Sequence, residues 1–251
     1  ETRIQVLKEA DRKAKNHSWM WVFRGGGRDR PTILFHYHQS RAGKVAENIL
    51  RGHKGIIQTD GHSGYNFIGD NPNQTNAGCW AHVRRKFFDA LKAAGEKAAP
   101  GLAHEAIDII RELYKIEKEP QANNLDFDQI KELRQAEAKP ILDEFKKKLD
   151  KWKLAVTPKS LTGKAVSYAL NQWEKLIVYL SDGRISIDNN SAENAIRPFA
   201  VGRKNWLFND SADGAAAAAI FFSILETAKA NGLEPYWYMR FLFEKLTELK
   251  T

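Results

Sequence analysis

Along the first ninety-odd residues, apolar and polar positions alternate with the period of two that marks half-buried strands. In Arg3–Leu7 the alternation puts Ile4 and Val6 on one face, and Ser18–Phe23 and Thr32–His38 are aromatic and β-branched segments. Gly25-Gly26-Gly27 between them reads as the loose tip of a hairpin, with Asp29 at that tip. Ser40 is placed as a helix N-cap, since Val45, Ile49 and Leu50 follow at helical spacing and Gly52 ends the run. The segment Gly55-Ile56-Ile57-Gln58-Thr59-Asp60-Gly61 is a short apolar strand that stops at an acid and a glycine. Ala77–Ala81 is predicted as a further strand, leading into a helix from Arg84 to Ala94.

From Ala98 to Leu180 the period becomes 3.6. Leu102, Ile109, Leu113 and Ile116 make one stripe. Ile130, Leu133, Phe145, Leu149 and Trp152 make a second, bent or broken at Pro140, and Val166, Leu170, Trp173, Ile177 and Leu180 a third that stops at Gly183. Polar Glu119–Asp126 is predicted as a loop. After a short extended piece at Arg184–Ile187, helices are predicted from Asn190, from Ala212 to Ala230, and after Pro235. A meander of three strands followed by alternating strands and helices implies an α/β fold with a mixed sheet flanked by helices. The expected segments are a core over 1–97, an all-helical insertion over 98–160, a core completion over 161–232, and a C-terminal helix over 233–251.

Composition narrows the class. With 43% hydrophobic and 28% charged residues the chain has the make-up of a water-soluble globular protein. Its longest apolar run, Ala215–Phe222, is far too short to span a bilayer, and no charged segment followed by an apolar run marks a secretion signal. The single cysteine, Cys79, excludes an internal disulfide and fits a reducing cytosol. Thirty-nine Lys and Arg against thirty-one Asp and Glu give a net charge of +8. The resulting pI near 9.4 is the electrostatic footprint of a polyanion binder, although charge alone also suits a basic protein with no such partner.

Candidate chemistry centres on two carboxylates. Asp60 ends an apolar strand and precedes Gly61, where a phosphate or metal can approach the backbone; an ordinary Asp-Gly turn explains the pair equally well. Asn190 and Glu193 have capping-box spacing, which accounts for Glu193 structurally, while a functional acid in a helix's first turn with Arg197 one turn on is the competing account. Arg203 and Lys204 add positive charge to the same stretch, and Arg84, Arg85 and Lys86 open a helix at the end unfavourable to cations unless an anion lies nearby. Paired carboxylates beside such cations suit metal-dependent phosphoryl transfer, in which two Mg²⁺ ions about 3.5–4 Å apart share hard oxygen ligands. Cys79 and His82 have metal-like spacing without a second ligand pair, so zinc is not expected. His36 and His38 read as ordinary strand residues, Lys146-Lys147-Lys148 as a solvated face, and Trp206 and Phe208 as core rather than base-stacking groups.

Several stretches together resemble the transposases of the insertion-sequence 66 family. They are Gln58-Thr59-Asp60-Gly61-His62-Ser63-Gly64-Tyr65-Asn66, Gly78-Cys79-Trp80-Ala81-His82-Val83-Arg84-Arg85-Lys86-Phe87-Phe88, and Asp188-Asn189-Asn190-Ser191-Ala192-Glu193 through Arg197. Gly202–Phe208 and Leu225–Lys229 extend the likeness along nearly the whole chain. The resemblance implies a ribonuclease H-like core whose two aspartates and one glutamate bind Mg²⁺ or Mn²⁺, with Asp60 as the second aspartate and Glu193 as the glutamate. It further implies a bacterial cytoplasmic, nucleoid-associated enzyme that cleaves and joins transposon ends and target DNA, as a homo-oligomer in its active complex. In that pattern the first aspartate directly precedes a Glu-Thr pair, which here is Glu1-Thr2, so the isolated chain is expected to be impaired. Two rivals stand beside this reading: a non-enzymatic DNA-binding remnant of such a core, and a nuclease of the same fold.

Overall fold

The computed structural model describes residues 1–27, 30–95 and 99–248. In chain order, strands β1 (Thr2–Lys8), β2 (His17–Gly25) and β3 (Thr32–His38) lead to helix α1 (Gly43–Leu50) and strand β4 (Gly55–Gln58). A 3-10 segment (Ser63–Asp70), strand β5 (Gln74–Ala77) and helix α2 (Trp80–Ala94) follow. The helical block comprises α3 (Leu102–Ile116), the single turn α4 (Glu119–Ala122), α5 (Phe127–Leu133), a π-helical stretch (Arg134–Ala138), α6 (Lys139–Ala155), α7 (Leu161–Asn171) and α8 (Trp173–Leu176). A 3-10 turn at Val178–Ser181 precedes α9 (Asn190–Trp206), β6 (Asn209–Ser211), α10 (Ala212–Ala230) and α11 (Pro235–Glu248). The fold is mixed α/β, predominantly helical, and divides into two compact units, residues 1–45 with 190–251 and residues 46–189. The boundary expected at residue 97 and the hairpin-tip residue Asp29 lie outside the described residues.

The first unit is built on a four-stranded sheet of order β3-β2-β1-β6, antiparallel through the meander, with β6 parallel to β1. Ile4, Val6, Met20, Ile33 and Phe35 project from one face, as the alternation required, and pack on Ala195 and Phe199 of α9 and Ala215 and Ala219 of α10. Rings of Phe35, Phe199, Phe222 and Trp206 lie 5.0–6.1 Å apart and close this core.

β3 is an edge strand whose outward main-chain groups would be open to pairing with another chain. Helix α10 satisfies them with side chains. The Thr227 hydroxyl accepts from Ile33 N at 2.9 Å and donates to Ile33 O at 3.1 Å. Ser223 Oγ accepts from Phe35 N at 2.8 Å, and Asn231 Nδ2 donates to Pro31 O at 2.8 Å. Residues four apart on a helix rise about 6 Å and residues two apart on a strand about 6.6 Å, so Ser223, Thr227 and Asn231 match Phe35, Ile33 and Pro31 rung for rung.

The second unit pairs β4 and β5 in parallel and packs its helices around Trp80, Val83 and Phe87 of α2. Ile110, Leu113, Leu142, Phe145, Leu149, Val166 and Leu176 complete that core, and Trp80 Nε1 donates to Leu176 O at 3.1 Å. Arg134, buried in the π-helical stretch, forms a bidentate pair with Glu117 (2.8 and 2.6 Å) and donates to Tyr179 O and Asp182 O, so each of its three nitrogens has an acceptor.

Several sequence-based expectations shift. The strand expected at Ala77–Ala81 ends at Ala77, and α2 begins at Trp80, because Trp80, Val83, Phe87 and Ala90 form a buried helical stripe. The buried face of α3 is Ala103, Ala106, Ile107, Ile110, Leu113 and Ile116, so Leu113 and Ile116 of the expected stripe are buried while Leu102 and Ile109 lie at its margin. The polar segment at 119–126 contains the turn α4, opened by Pro120 near its N-terminus, and Asp126 caps α5 through Gln129 N. Pro140 does not break the chain's course; the helix passes it through the π-helical stretch into α6. Arg184–Ile187 forms turns and bends rather than an extended piece, and Ser40 accepts from Ala42 N, three residues ahead of α1.

Candidate active site

Asp60 owes its position to the end of β4. Thr59 N continues the parallel ladder to Ala77 O at 2.9 Å, and the buried Thr59 hydroxyl bonds Asn76 Oδ1 at 2.9 Å. The chain then turns through Gly61 at φ +80°, a left-handed conformation that glycine adopts without strain. Half-buried Asp60 accepts from His62 N on Oδ1 at 2.9 Å, and its main-chain oxygen accepts from Tyr168 Oη at 2.9 Å. Among the described residues no ion pair engages its carboxylate. Burial first, and then the Asp60 charge, push the Tyr168 phenol up to about 12, which keeps it a donor at neutral pH. Lys86 Nζ sits 4.7 Å from the centre of the Tyr168 ring.

The loop at 186–189 is stitched to this strand end. Gln58 Nε2 donates to Gly78 O (3.1 Å) and Ser186 O (2.7 Å), Trp80 N donates to Ile187 O (3.1 Å), and Asn189 N donates to Cys79 Sγ (3.4 Å). Tyr114 Oη donates to Asp188 Oδ2 at 2.7 Å, and burial together with that carboxylate drives its phenol far above the ordinary range. Burial pushes the Cys79 thiol up to about 11, which keeps it a neutral core group at neutral pH. Among the described residues no three His, Cys, Asp or Glu side chains gather as a metal-binding set.

The eight residues singled out from the sequence divide evenly between the units. Asp60, Arg84, Arg85 and Lys86 belong to the second; Glu193, Arg197, Arg203 and Lys204 belong to the first. Arg84, Arg85 and Lys86 are exposed and lie in the second turn of α2 rather than at its opening, which removes the conflict with the helix dipole. Glu193 is in the first turn of α9 and Arg203 and Lys204 in its last, each at the end the dipole favours. Glu193, Arg197 and Lys204 share one face by helical spacing, and both cations are exposed. Arg203 is committed elsewhere: its Nη1 donates to Thr2 Oγ1 at 2.8 Å and to Arg3 O, tying α9 to β1. Sequence reasoning missed Tyr168, Gln58 and Tyr114, whose only local sign was a polar group within an apolar run. Lys146, Lys147 and Lys148 each meet a carboxylate (Asp150, Glu144 and Glu105), and Trp206 packs edge-on to Phe199 at 5.5 Å. No described helix is long and apolar enough to cross a membrane.

Comparison with known proteins agrees with this arrangement of motifs. The pattern described as Transposase IS66 family covers residues 1–217, and the IS66 C-terminal element covers 223–251. The chain belongs to the IS66 transposase family. Similar proteins of Sinorhizobium fredii include the uncharacterized protein y4qI, 34% identical over 94% of this chain and 44% of its own length. The uncharacterized proteins y4hP and y4jD are 32% and 30% identical over 84% and 88% of this chain and 40% and 43% of theirs. The chain thus spans less than half the length of these curated relatives. No solved structure matches it significantly.

Proposed function

We propose that this chain is the catalytic segment of a DNA transposase on a ribonuclease H-like core, with Asp60 and Glu193 as carboxylate ligands of Mg²⁺ or Mn²⁺. The observation that carries the reading is the stitching of residues 186–189 to Gln58, Cys79 and Trp80 beside Asp60. That loop passes directly into the helix whose first turn bears Glu193. Within the first unit, the antiparallel meander with β6 parallel to β1 supports the core assignment.

The donor chemistry suits a hard divalent cation. Asp60 gives one oxygen to a single backbone N–H, and beside Gly61 the Gln172 Oε1 atom is buried with no donor among the described residues. When bound, such an ion supplies Lewis-acid stabilisation of charge on the phosphoryl group. Asp60, fixed at a strand end, and Glu193, at a helix N-terminus, orient the ligand set. Arg84, Arg85, Lys86, Arg197 and Lys204 hold backbone phosphates without reading sequence, and the partners are transposon-end and target DNA. In full-length protein, Asp60→Ala or Glu193→Ala is expected to lower Mg²⁺-dependent cleavage and joining of transposon-end DNA on the order of 10³-fold. Salt-sensitive DNA binding should persist in both. Variants that cleave like wild type refute the reading, and cleavage without joining in the wild type identifies a nuclease instead.

A further inference from the structure

We infer that Tyr168 on α7 and Gln172, the residue that caps its C-terminus one turn later, are positioning residues for Asp60, holding its turn so that the carboxylate presents to a divalent cation. The inference rests on Asp60 being a metal ligand. Beyond Thr59 the ladder of β4 and β5 has ended, and a glycine follows Asp60, so the strand ladder no longer holds the peptide that carries the carboxylate. The fixing comes from α7. Tyr168 Oη donates to Asp60 O at 2.9 Å, which pins the peptide joining Asp60 to Gly61. A Cβ at Gly61 would lie 2.8 Å from Tyr168 Oη and 3.2 Å from Gln172 Cδ and Oε1, so the two side chains occupy the space into which the turn could relax.

With the main chain held, His62 N donates to Oδ1 at 2.9 Å and sets the carboxylate's rotation, while among the described residues no bond commits Oδ2. The buried Gln172 Oε1 has acceptor capacity that no described donor uses, as expected of a group that accepts a hydrogen bond from an ordered water. Lys86 Nζ lies over the Tyr168 ring, 4.7 Å from its centre, a cation–π contact with the same side chain. Groups of this kind around a metal-binding carboxylate cost about 10- to 100-fold in metal affinity when removed. They also give α7 a task at the site: this helix, which sequence reading placed in the completion of the core without a role there, supplies the wall behind Asp60.

The test is a Mn²⁺ titration of the full-length protein, followed by the electron paramagnetic resonance signal of free Mn²⁺, with thermal unfolding measured in parallel. Asp60→Asn should abolish the Asp60-dependent binding, and Tyr168→Phe should weaken it about 10-fold while the protein remains folded. Tyr168→Phe in the Asp60→Asn background should add nothing further. If Tyr168→Phe lowers the unfolding temperature yet binds Mn²⁺ as tightly as wild type, the positioning role is overturned while Asp60 remains a ligand. If Asp60→Asn binds normally, the ligand assignment fails and the positioning role with it. Should Tyr168→Phe not fold, Gln172→Ala faces the same comparison, a several-fold loss sustaining the role and wild-type affinity overturning it.

Discussion

The hydroxyl rungs between α10 and β3 make a sharp stability prediction. Thr227→Val keeps the shape of the side chain and deletes the hydroxyl that both accepts from Ile33 N and donates to Ile33 O. Ile33 is only 5% exposed, so water cannot readily replace the lost partner. Two hydrogen bonds at about 0.5–1.5 kcal/mol each, with the cost of stranding a buried N–H, give an expected loss of about 2–3 kcal/mol. For a chain of this size that lowers the unfolding temperature by roughly 4–10 °C. Thr227→Ser retains the hydroxyl and should lose clearly less. Urea unfolding gives the free energies, and amide hydrogen exchange localises them, with Ile33 losing protection in the valine variant. A Thr227→Val protein within about 0.5 kcal/mol of wild type, or a serine variant as unstable as the valine one, refutes the idea that side-chain rungs satisfy this edge.

Two further outcomes follow from single side chains. Because burial raises the Cys79 thiol from 9 to about 11, its thiolate fraction at pH 8 is about a hundredfold smaller than that of a free thiol. Disulfide reagents should therefore label folded protein far more slowly than urea-unfolded protein. The raised value stabilises the fold in full below pH 9, and that contribution fades as pH climbs through 11; equal labelling of both states contradicts the burial. Arg203→Ala, which removes the tie to Thr2 and Arg3, should lower stability by about 1–2 kcal/mol. Lys204→Ala should leave stability within about 0.5 kcal/mol and reduce the salt dependence of DNA binding by about one phosphate contact. Reversed effects in the two variants, measured by unfolding and by salt titration, would overturn the division of labour.

How far the fold could be read from the sequence depended on where apolar side chains mark it. The meander was legible because Ile4, Val6, Met20, Ile33 and Phe35 alternate over a covered face. β5 was invisible for the opposite reason. Its Gln74, Thr75 and Asn76 are polar, and Gln74 and Asn76 are held by bonds to Leu50 O, His53 O and Thr59 rather than by apolar packing. Buried Arg134 falls on the same helical stripe as Ile130, Ala138 and Leu142, but its charge signals solvent, and only its distant partners Glu117, Tyr179 and Asp182 explain its burial. At the candidate site, Asp60 was legible as an acid after an apolar strand, whereas Tyr168 meets it across 108 positions of chain that leave no local mark. The basic stretch at Arg84–Lys86 was correctly found on a helix but displaced by a turn, because the start of α2 at Trp80 follows from packing on Leu176 and Phe145.

The most direct test of the proposed site is iron-mediated cleavage of the protein itself. Fe²⁺ supplied in place of Mg²⁺, with ascorbate and peroxide, generates radicals that cut the polypeptide beside the bound ion. If Asp60 and Glu193 bind one metal centre, fragments should map to two places, near residue 60 and near residue 193, with both cuts competed by Mg²⁺ and both lost in Asp60→Asn. A cut beside one carboxylate alone, or an unchanged pattern in Asp60→Asn, contradicts a shared site.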